Sequence, residues 1–231
     1  MELAVLLTPE EARAAGPGLF KRYSRAYVGS GFCQNLLPEA RDIGMLHSKG
    51  AKTITLATPL FTGAGLKKFE KILKAVLETE KRIEVSVNDL GLLALLRRRY
   101  RARVTPLLGR PVSHDYLRME PSFLKRFLRY YGVKYLESDE NSMVRNLPAS
   151  SKLAVSFHYP LACLAMSRFC PHEGRMDDSC ARSCAVGPVK LEDACGEQLI
   201  LKNGAYFAGN TPCRHKAVKR LVYAPGGSLK L

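Results

Sequence analysis

The sequence predicts an α/β protein built as a TIM-type (β/α)8-like barrel, and three observations carry that prediction. Eight short β-branched or apolar runs recur along the 231 residues. Helical periods or turn-rich stretches separate most of them. One cysteine-rich stretch with its own hairpin interrupts the alternation late in the chain. Strands alternating with helices imply a parallel sheet with crossover helices, and eight strands allow that sheet to close. A typical barrel uses ~250 residues. This one is therefore expected to be compact or incomplete, with short or missing helices, as a single barrel domain over residues 1–231.

The elements follow in order. ELAVLL (2–7), AYVGS (26–30) and TITLAT (53–58) are the first three strands. GLKKFEKILKAVLETE (65–80) sets Leu66, Phe69, Ile72, Leu73, Val76 and Leu77 on one helical face. RIEVSV (82–87) is the fourth strand, and DLGLLALLRRR after it reads as a buried helix with Asn88 or Asp89 as its N-cap. ARVTPL (102–107) is the fifth strand, and PSFLKRFLRYYGV (121–133) is a helix with Pro121 at its start and Gly132 at its end. KYLES (134–138), KLAVSF (152–157) and RLVYAP (220–225) complete the eight. Within EQLILKNGAYFAGNT (197–211), Asn203-Gly204 between two apolar runs signals a hairpin. Residues 168–212 are thus expected to form a cysteine-rich insertion and hairpin near the C-terminal end of the seventh strand, the end where barrel sites are built.

No apolar run reaches the ~18 residues that a membrane span needs. The apolar start MELAVLL has no basic residue before it and acids soon after, the reverse of a secretory signal. A cytoplasmic chain with reduced thiols is expected. The formal net charge is +15, and it is unevenly spread: between Leu95 and Tyr135 stand eleven Lys and Arg against two acids, Asp115 and Glu120. Such a band is either a solvated basic face or a docking surface for RNA or an acidic partner. No RNA-binding motif accompanies it.

The chemistry-bearing stretch is RFCPHEGRMDDSCARSC, with Cys170, Cys180 and Cys184 spaced C-x9-C-x3-C. The seven cysteines are an odd number, which fits ligation better than a disulfide framework. CARSCAVG reads as a short helical turn that sets Cys180 and Cys184 on one face, and Asp177 and Asp178 as its caps. Three thiolates need a fourth donor for zinc or an iron–sulfur cluster. The candidates are Cys33, Cys163, Cys195, Cys213, His172 and His215. Cys33 lies just past the second strand, on the barrel face that carries the insertion, whereas Cys163 sits in an apolar run that reads as a helix and as core. Zinc favours two close C-x2-4-C pairs, and only one close pair exists here, so both the cluster and zinc remain open. Arg168, Arg175 and Arg182 are placed to offset the charge of a cluster. Ser86, Asn88 and Asp89, with His158 and Tyr159, are the polar residues expected around any pocket at the barrel mouth.

Several segments, in order, resemble the UbiV type of the collagenase-like peptidase U family 32: YVGSGFCQN, IEVSVNDLGLLALL, SFHYPLACLAMSRFC, DDSCARSC, LILKNGAYFAGN and RLVYAPGG. The resemblance implies a TIM-type barrel with a [4Fe-4S] cluster on Cys33, Cys170, Cys180 and Cys184. It implies a heterodimer with a UbiU-like subunit in oxygen-independent hydroxylation during ubiquinone biosynthesis. Other relatives hydroxylate RNA bases, which makes an RNA-modifying or RNA-binding protein the alternative. The family name also suggests a peptidase, but His114, His158 and His172 have no serine or cysteine partner assignable from the sequence.

Overall fold

The computed structural model describes residues 1–147, 152–176, 180–192, 196 and 198–226. The chain begins with β1 (Glu2–Leu7), α1 (Pro9–Ala14), α2 (Leu19–Arg22), β2 (Arg25–Gly29), α3 (Ala40–Ser48), β3 (Thr53–Ala57) and α4 (Gly63–Thr79). It continues with β4 (Ile83–Val87), α5 (Leu90–Arg99), β5 (Val104–Leu108), α6 (Arg110–Tyr116), α7 (Pro121–Tyr131), β6 (Tyr135–Ser138), α8 (Asn141–Arg145) and β7 (Ala154–Tyr159). Then come β8 (Leu161–Met166), β9 (Val189–Glu192), β10 (Gln198–Lys202), β11 (Ala205–Gly209) and β12 (Val218–Tyr223). Eight strands close into one barrel in the order β1-β12-β7-β6-β5-β4-β3-β2, all pairs parallel. This is the TIM-type architecture that the alternation predicts.

Local chemistry explains the best-defined helices. Thr62 caps α4 by accepting from Gly65 N, and Phe69, Leu73, Val76 and Leu77 are buried along one stripe. Each such side chain contributes about 1.5–3 kcal/mol on burial. Asp89, the second of the two expected caps, accepts from Leu92 N at the start of α5. Pro121 opens α7, and Gly132 closes it at φ 70°, a conformation natural to glycine. The compact barrel shows in α8, which has five residues. No helix among the described residues is long and apolar enough to cross a membrane.

The seventh crossover differs from the expectation. The insertion starts at Leu161 rather than residue 168, because LACLAM forms β8. Cys163 therefore sits on a strand, and the expected helix is absent there. A six-residue apolar run does not by itself distinguish strand from helix. The partner decides: β11 pairs β8 antiparallel and satisfies its backbone. The order of the second sheet is β8-β11-β10-β9. Its hairpin turns through Asn203 (φ 53°) and Gly204 (φ 82°), as the Asn-Gly pair requires. Leu161, Ala205 and Phe207 pack with Phe32, so this sheet covers part of the barrel mouth next to the loop after β2.

The barrel interior is mixed, with polar residues beside the apolar group Ala4, Tyr27 and Val222. Val85 and Val87 of β4, and Val155 and Phe157 of β7, belong to the apolar clusters outside the barrel. The alternate residues Glu84, Ser86, Glu137, Ser156, His158 and Arg220 form a polar interior joined across the strands. Buried polar groups persist only when paired, so this interior fixes cross-barrel register at the cost of easy repacking.

Candidate metal centre

Four separate backbone devices position the four cysteines. Cys33 follows the end of β2, where Gly29 adopts φ 116° and a Cβ would collide with the Ala57 carbonyl. Ser30 Oγ then accepts from Phe32 N (3.1 Å) and Cys33 N (3.2 Å), turning the chain so that Cys33 caps a short 3-10 turn, Gln34–Leu36. Gly29→Ala is expected to cost about 1–3 kcal/mol in urea unfolding, because no L-residue fits that conformation without strain.

Cys170 opens a tight turn closed by Gly174 at φ 65°, with Cys170 N donating to Arg175 O at 3.0 Å and Gly174 N to Cys170 O at 2.8 Å. Arg168 Nη2 donates to Phe61 O at 3.1 Å and ties this turn to the loop after β3. Cys180 Sγ accepts from Arg182 N at 3.2 Å, the kind of backbone N–H donor that a thiolate needs when removed from water. The expected helical turn is a 3-10 turn over Ser183–Val186, with Arg182 in the left-handed region at φ 60°. It holds Cys184 but leaves Cys180 outside. Asp177 and Asp178 lie outside the described residues.

Glu173, which the sequence reading missed, joins two of these devices. Its Oε1 accepts from Ser183 N (3.0 Å) and Ser183 Oγ (2.7 Å) and lies 3.9 Å from the Cys180 thiol. The Ser183 backbone and hydroxyl donors hold its carboxyl below the usual range. Arg182 Nη2 donates to Asn35 O (3.3 Å) in the turn behind Cys33, and its other terminal nitrogen pairs with Glu10 of α1. Of the three expected arginines, Arg168 and Arg175 line the cavity, and Arg182 staples its outer edge.

Cys33, Cys170 and Cys180 line one cavity of about 350 Å³. Cys184 belongs to the same electrostatic neighbourhood. Burial and then the charges of Cys33, Cys180 and Cys170 push its thiol up to about 11. The Cys33 thiol is raised by burial and, to a lesser degree, by Cys180 and Cys170, against lowering backbone hydrogen bonds. Of the four sequence-predicted ligands, Cys33, Cys170 and Cys180 share this cavity, and Cys184 lines a neighbouring one with Glu10 and Arg182. Among the described residues, no three His, Cys, Asp or Glu side chains are close enough to share one metal ion. A zinc site needs its sulfurs ~2.3 Å from a single point. A cluster would need its thiolates around one space, and Cys33, Cys170 and Cys180 line a common cavity.

Cys163 and Cys213 line neither this cavity nor its neighbour at Cys184. Cys163 N donates to Asp139 Oδ2 at 2.8 Å, and burial, followed by the carboxylate of Asp139, pushes its thiol up to about 11 against the nearby Arg110. Cys213 is buried among Val144, Val155 and Phe157. Cys195 lies outside the described residues. His172 is shifted down by burial, and His215 Nδ1 accepts from Ala217 N at 3.2 Å.

Beneath the mouth, the structure separates the polar residues expected at a pocket. Asp89 is a helix cap, and its second oxygen accepts from Phe61 N at 3.1 Å. Asn88 Nδ2 donates to Thr58 O at 2.8 Å, and Tyr159 packs against Tyr223. Ser86 and His158 instead converge on Glu137, a residue that the sequence reading passed over. Ser86 Oγ donates to Glu137 Oε2 at 2.8 Å, and His158 Nε2 is 3.3 Å from the same oxygen, off the line of a hydrogen bond. Glu137 is 3% and His158 1% exposed. Burial alone would raise the Glu137 carboxyl, but the His158 ring, Arg110 and the Ser86 hydroxyl outweigh it and hold it below the usual range. Burial and then Arg110 hold the His158 ring below its ordinary value, against Glu137.

Both depressions have the same sign for stability. Below the unfolded histidine value of about 6.5 the unfolded chain takes up a proton that the folded His158 refuses, so stability falls as the pH drops. Glu137 adds a further loss as the pH passes down through the carboxylate range. Melting temperatures recorded from pH 7.5 to 5 are expected to decline in the native chain and to decline less in His158→Gln.

Comparison with protein-family models, with characterised proteins and with solved structures gave no significant match in any of the three. What the geometry defines is a parallel eight-stranded barrel whose C-terminal mouth carries a thiol-lined cavity, closed on one side by a small antiparallel sheet.

Proposed function

We propose that the chain is an iron–sulfur protein that holds a [4Fe-4S] cluster on Cys33, Cys170, Cys180 and Cys184. One observation carries the reading: Cys33, Cys170 and Cys180 line a single cavity, and Cys184 lies within electrostatic reach of all three. Four thiolates on a [4Fe-4S]2+ core leave a net charge of about −2, which calls for cations and N–H donors. Arg168 and Arg175 on the cavity wall and the Arg182 N–H on Cys180 Sγ supply them. When bound, the cluster would supply one-electron transfer or a structural clamp on the insertion. The protein's own residues orient the thiols, through Ser30, Glu173 and the Cys170 turn, and cover the mouth with Phe32, Leu161 and Phe207.

The resemblance to the UbiV type of the peptidase U family 32 extends this reading to a role with a UbiU-like subunit in oxygen-independent hydroxylation for ubiquinone biosynthesis. The barrel and the cysteine set are consistent with that role. His158 faces Glu137 rather than a serine or cysteine nucleophile, which leaves the peptidase reading without support.

The test is strictly anaerobic purification, with an absorption spectrum and iron and sulfide analysis. A brown chain with about four irons and four sulfides supports the proposal. Zinc alone in such a preparation overturns it.

A further inference from the structure

The basic band gathers at the end of the barrel away from the cysteines. Arg82 precedes β4, Arg101 precedes β5 and Lys134 precedes β6, so the three crowd the N-terminal ends of adjacent strands. With Arg97 of α5 they line a cavity of about 230 Å³ against Thr105 and Tyr131. A cavity needs only ~10–15 Å³ for each water that it holds, so this one accommodates a hydrated oxyanion. Among the described residues no acidic one lines it, although Arg82 and Lys134 also border a second cavity with Glu2, Glu80 and Glu84.

Ordinary structural roles account for only part of this charge. Arg97, Arg98 and Arg99 form the last turn of α5, where cations complement the helix dipole. Arg99 also pairs with Glu70 at 2.9 Å, and Arg103 donates to the carbonyls of Leu77, Glu80 and Lys81. Arg82, Arg101 and Lys134 lie in no helix, and among the described residues they have no ion pair or hydrogen-bond partner. Arg97 is held with its guanidinium 3.7 Å from the centre of the Tyr130 ring, while its buried Nε has no acceptor. Five cationic residues, Arg103 among them, line this one space and repel, and a multiply charged anion relieves that repulsion. Arginine forks and a lysine around one cavity suit the tetrahedral oxygens of a phosphate better than a single carboxylate.

We infer that Arg82, Arg97, Arg101 and Lys134 form a phosphate-binding pocket at the N-terminal end of the barrel, independent of the cluster site. The phosphate comes either from a small phosphomonoester or from the backbone of a single-stranded RNA, and the chemistry of the pocket is the same for both.

Titration of the full chain with inorganic phosphate, followed by calorimetry, tests the pocket. Saturable binding at about 1–10 mM or tighter is expected. Arg101→Ala/Lys134→Ala is expected to weaken it roughly tenfold or more. Lys68→Ala/Lys71→Ala, which removes the same two charges from exposed positions on α4, is expected to leave it unchanged. Unchanged melting temperatures establish that both variants fold. Absence of saturable binding, or equal weakening by the two pairs, overturns the inference. Parallel titrations with AMP and with a short single-stranded RNA identify the source. If RNA binds more tightly than AMP, with a steep salt dependence that the Arg101/Lys134 pair reduces, the phosphate is a backbone phosphate. If AMP binds at least as tightly as RNA, it is a small ester.

Discussion

Cys33→Ala, Cys170→Ala, Cys180→Ala and Cys184→Ala are each expected to abolish the iron–sulfur absorbance of the anaerobically reconstituted chain, whereas Cys163→Ala and Cys213→Ala retain it. The contrast follows from position. Cys33, Cys170 and Cys180 line the same cavity, and Cys184 lies within the electrostatic reach of all three. Cys163 is engaged on β8 beside Asp139, and Cys213 fills a small apolar cluster. Loss of Cys213 creates a cavity and costs stability, so its variant is scored by iron per folded chain. The expected loss at each of the four positions is nearly complete, because a cluster with three ligands is exposed to solvent and exchange at the mouth. Retention of a full cluster by Cys33→Ala would remove the barrel-mouth ligand and with it the proposed site.

The second large effect belongs to the floor of the barrel. Arg220→Ala is expected to destabilise the metal-free chain by about 3–5 kcal/mol, read from denaturant midpoints. Arg220 is 1% exposed. Its Nε donates to Glu2 Oε2 at 2.6 Å, and Nη1 donates to Tyr27 OH at 2.6 Å and Glu84 Oε1 at 2.8 Å. Arg25 pairs with the same two carboxylates, at 2.7 Å from Glu2 and 3.0 Å from Glu84. Two arginines thus share two acids across four strands, and removing Arg220 leaves Arg25 alone against a largely buried Glu84 and a partly exposed Glu2. Burial would raise the Glu2 carboxyl, but Arg220 and Arg25 hold it below its usual value. A depressed carboxylate stabilises the fold above its unfolded value and loses that contribution as the pH falls. The deficit of Arg220→Ala is accordingly expected to be largest at neutral pH and to narrow in acid.

The polar interior was legible in principle. In RIEVSVND, KYLESDE and AVSFHY, polar residues occupy every second position: Glu84, Ser86 and Asn88; Glu137 and Asp139; Ser156 and His158. Period-two alternation of this kind marks a two-faced strand. Reading these runs only as apolar strands hid Glu137, which the fold makes the partner of Ser86 and His158. Glu173 gave no comparable signal, because its role depends on a contact with Ser183 across a loop. The helix expected around Cys163 failed for the opposite reason. LACLAM is equally apolar in either conformation, and only the β11 edge selected the strand.

The sequence by itself determined the eight-strand alternation, the caps and lengths of the main helices and the Asn203-Gly204 hairpin. Those features rest on local rules: side-chain period, capping hydrogen bonds and turn conformations. Only the tertiary structure decided where the insertion begins, which acid faces His158, and that the basic band includes a cavity lined by cations. Those depend on barrel closure, which brings residues more than a hundred positions apart within a few ångströms. No local pattern encodes which strand edge, carboxylate or arginine will be across the gap when the sheet closes.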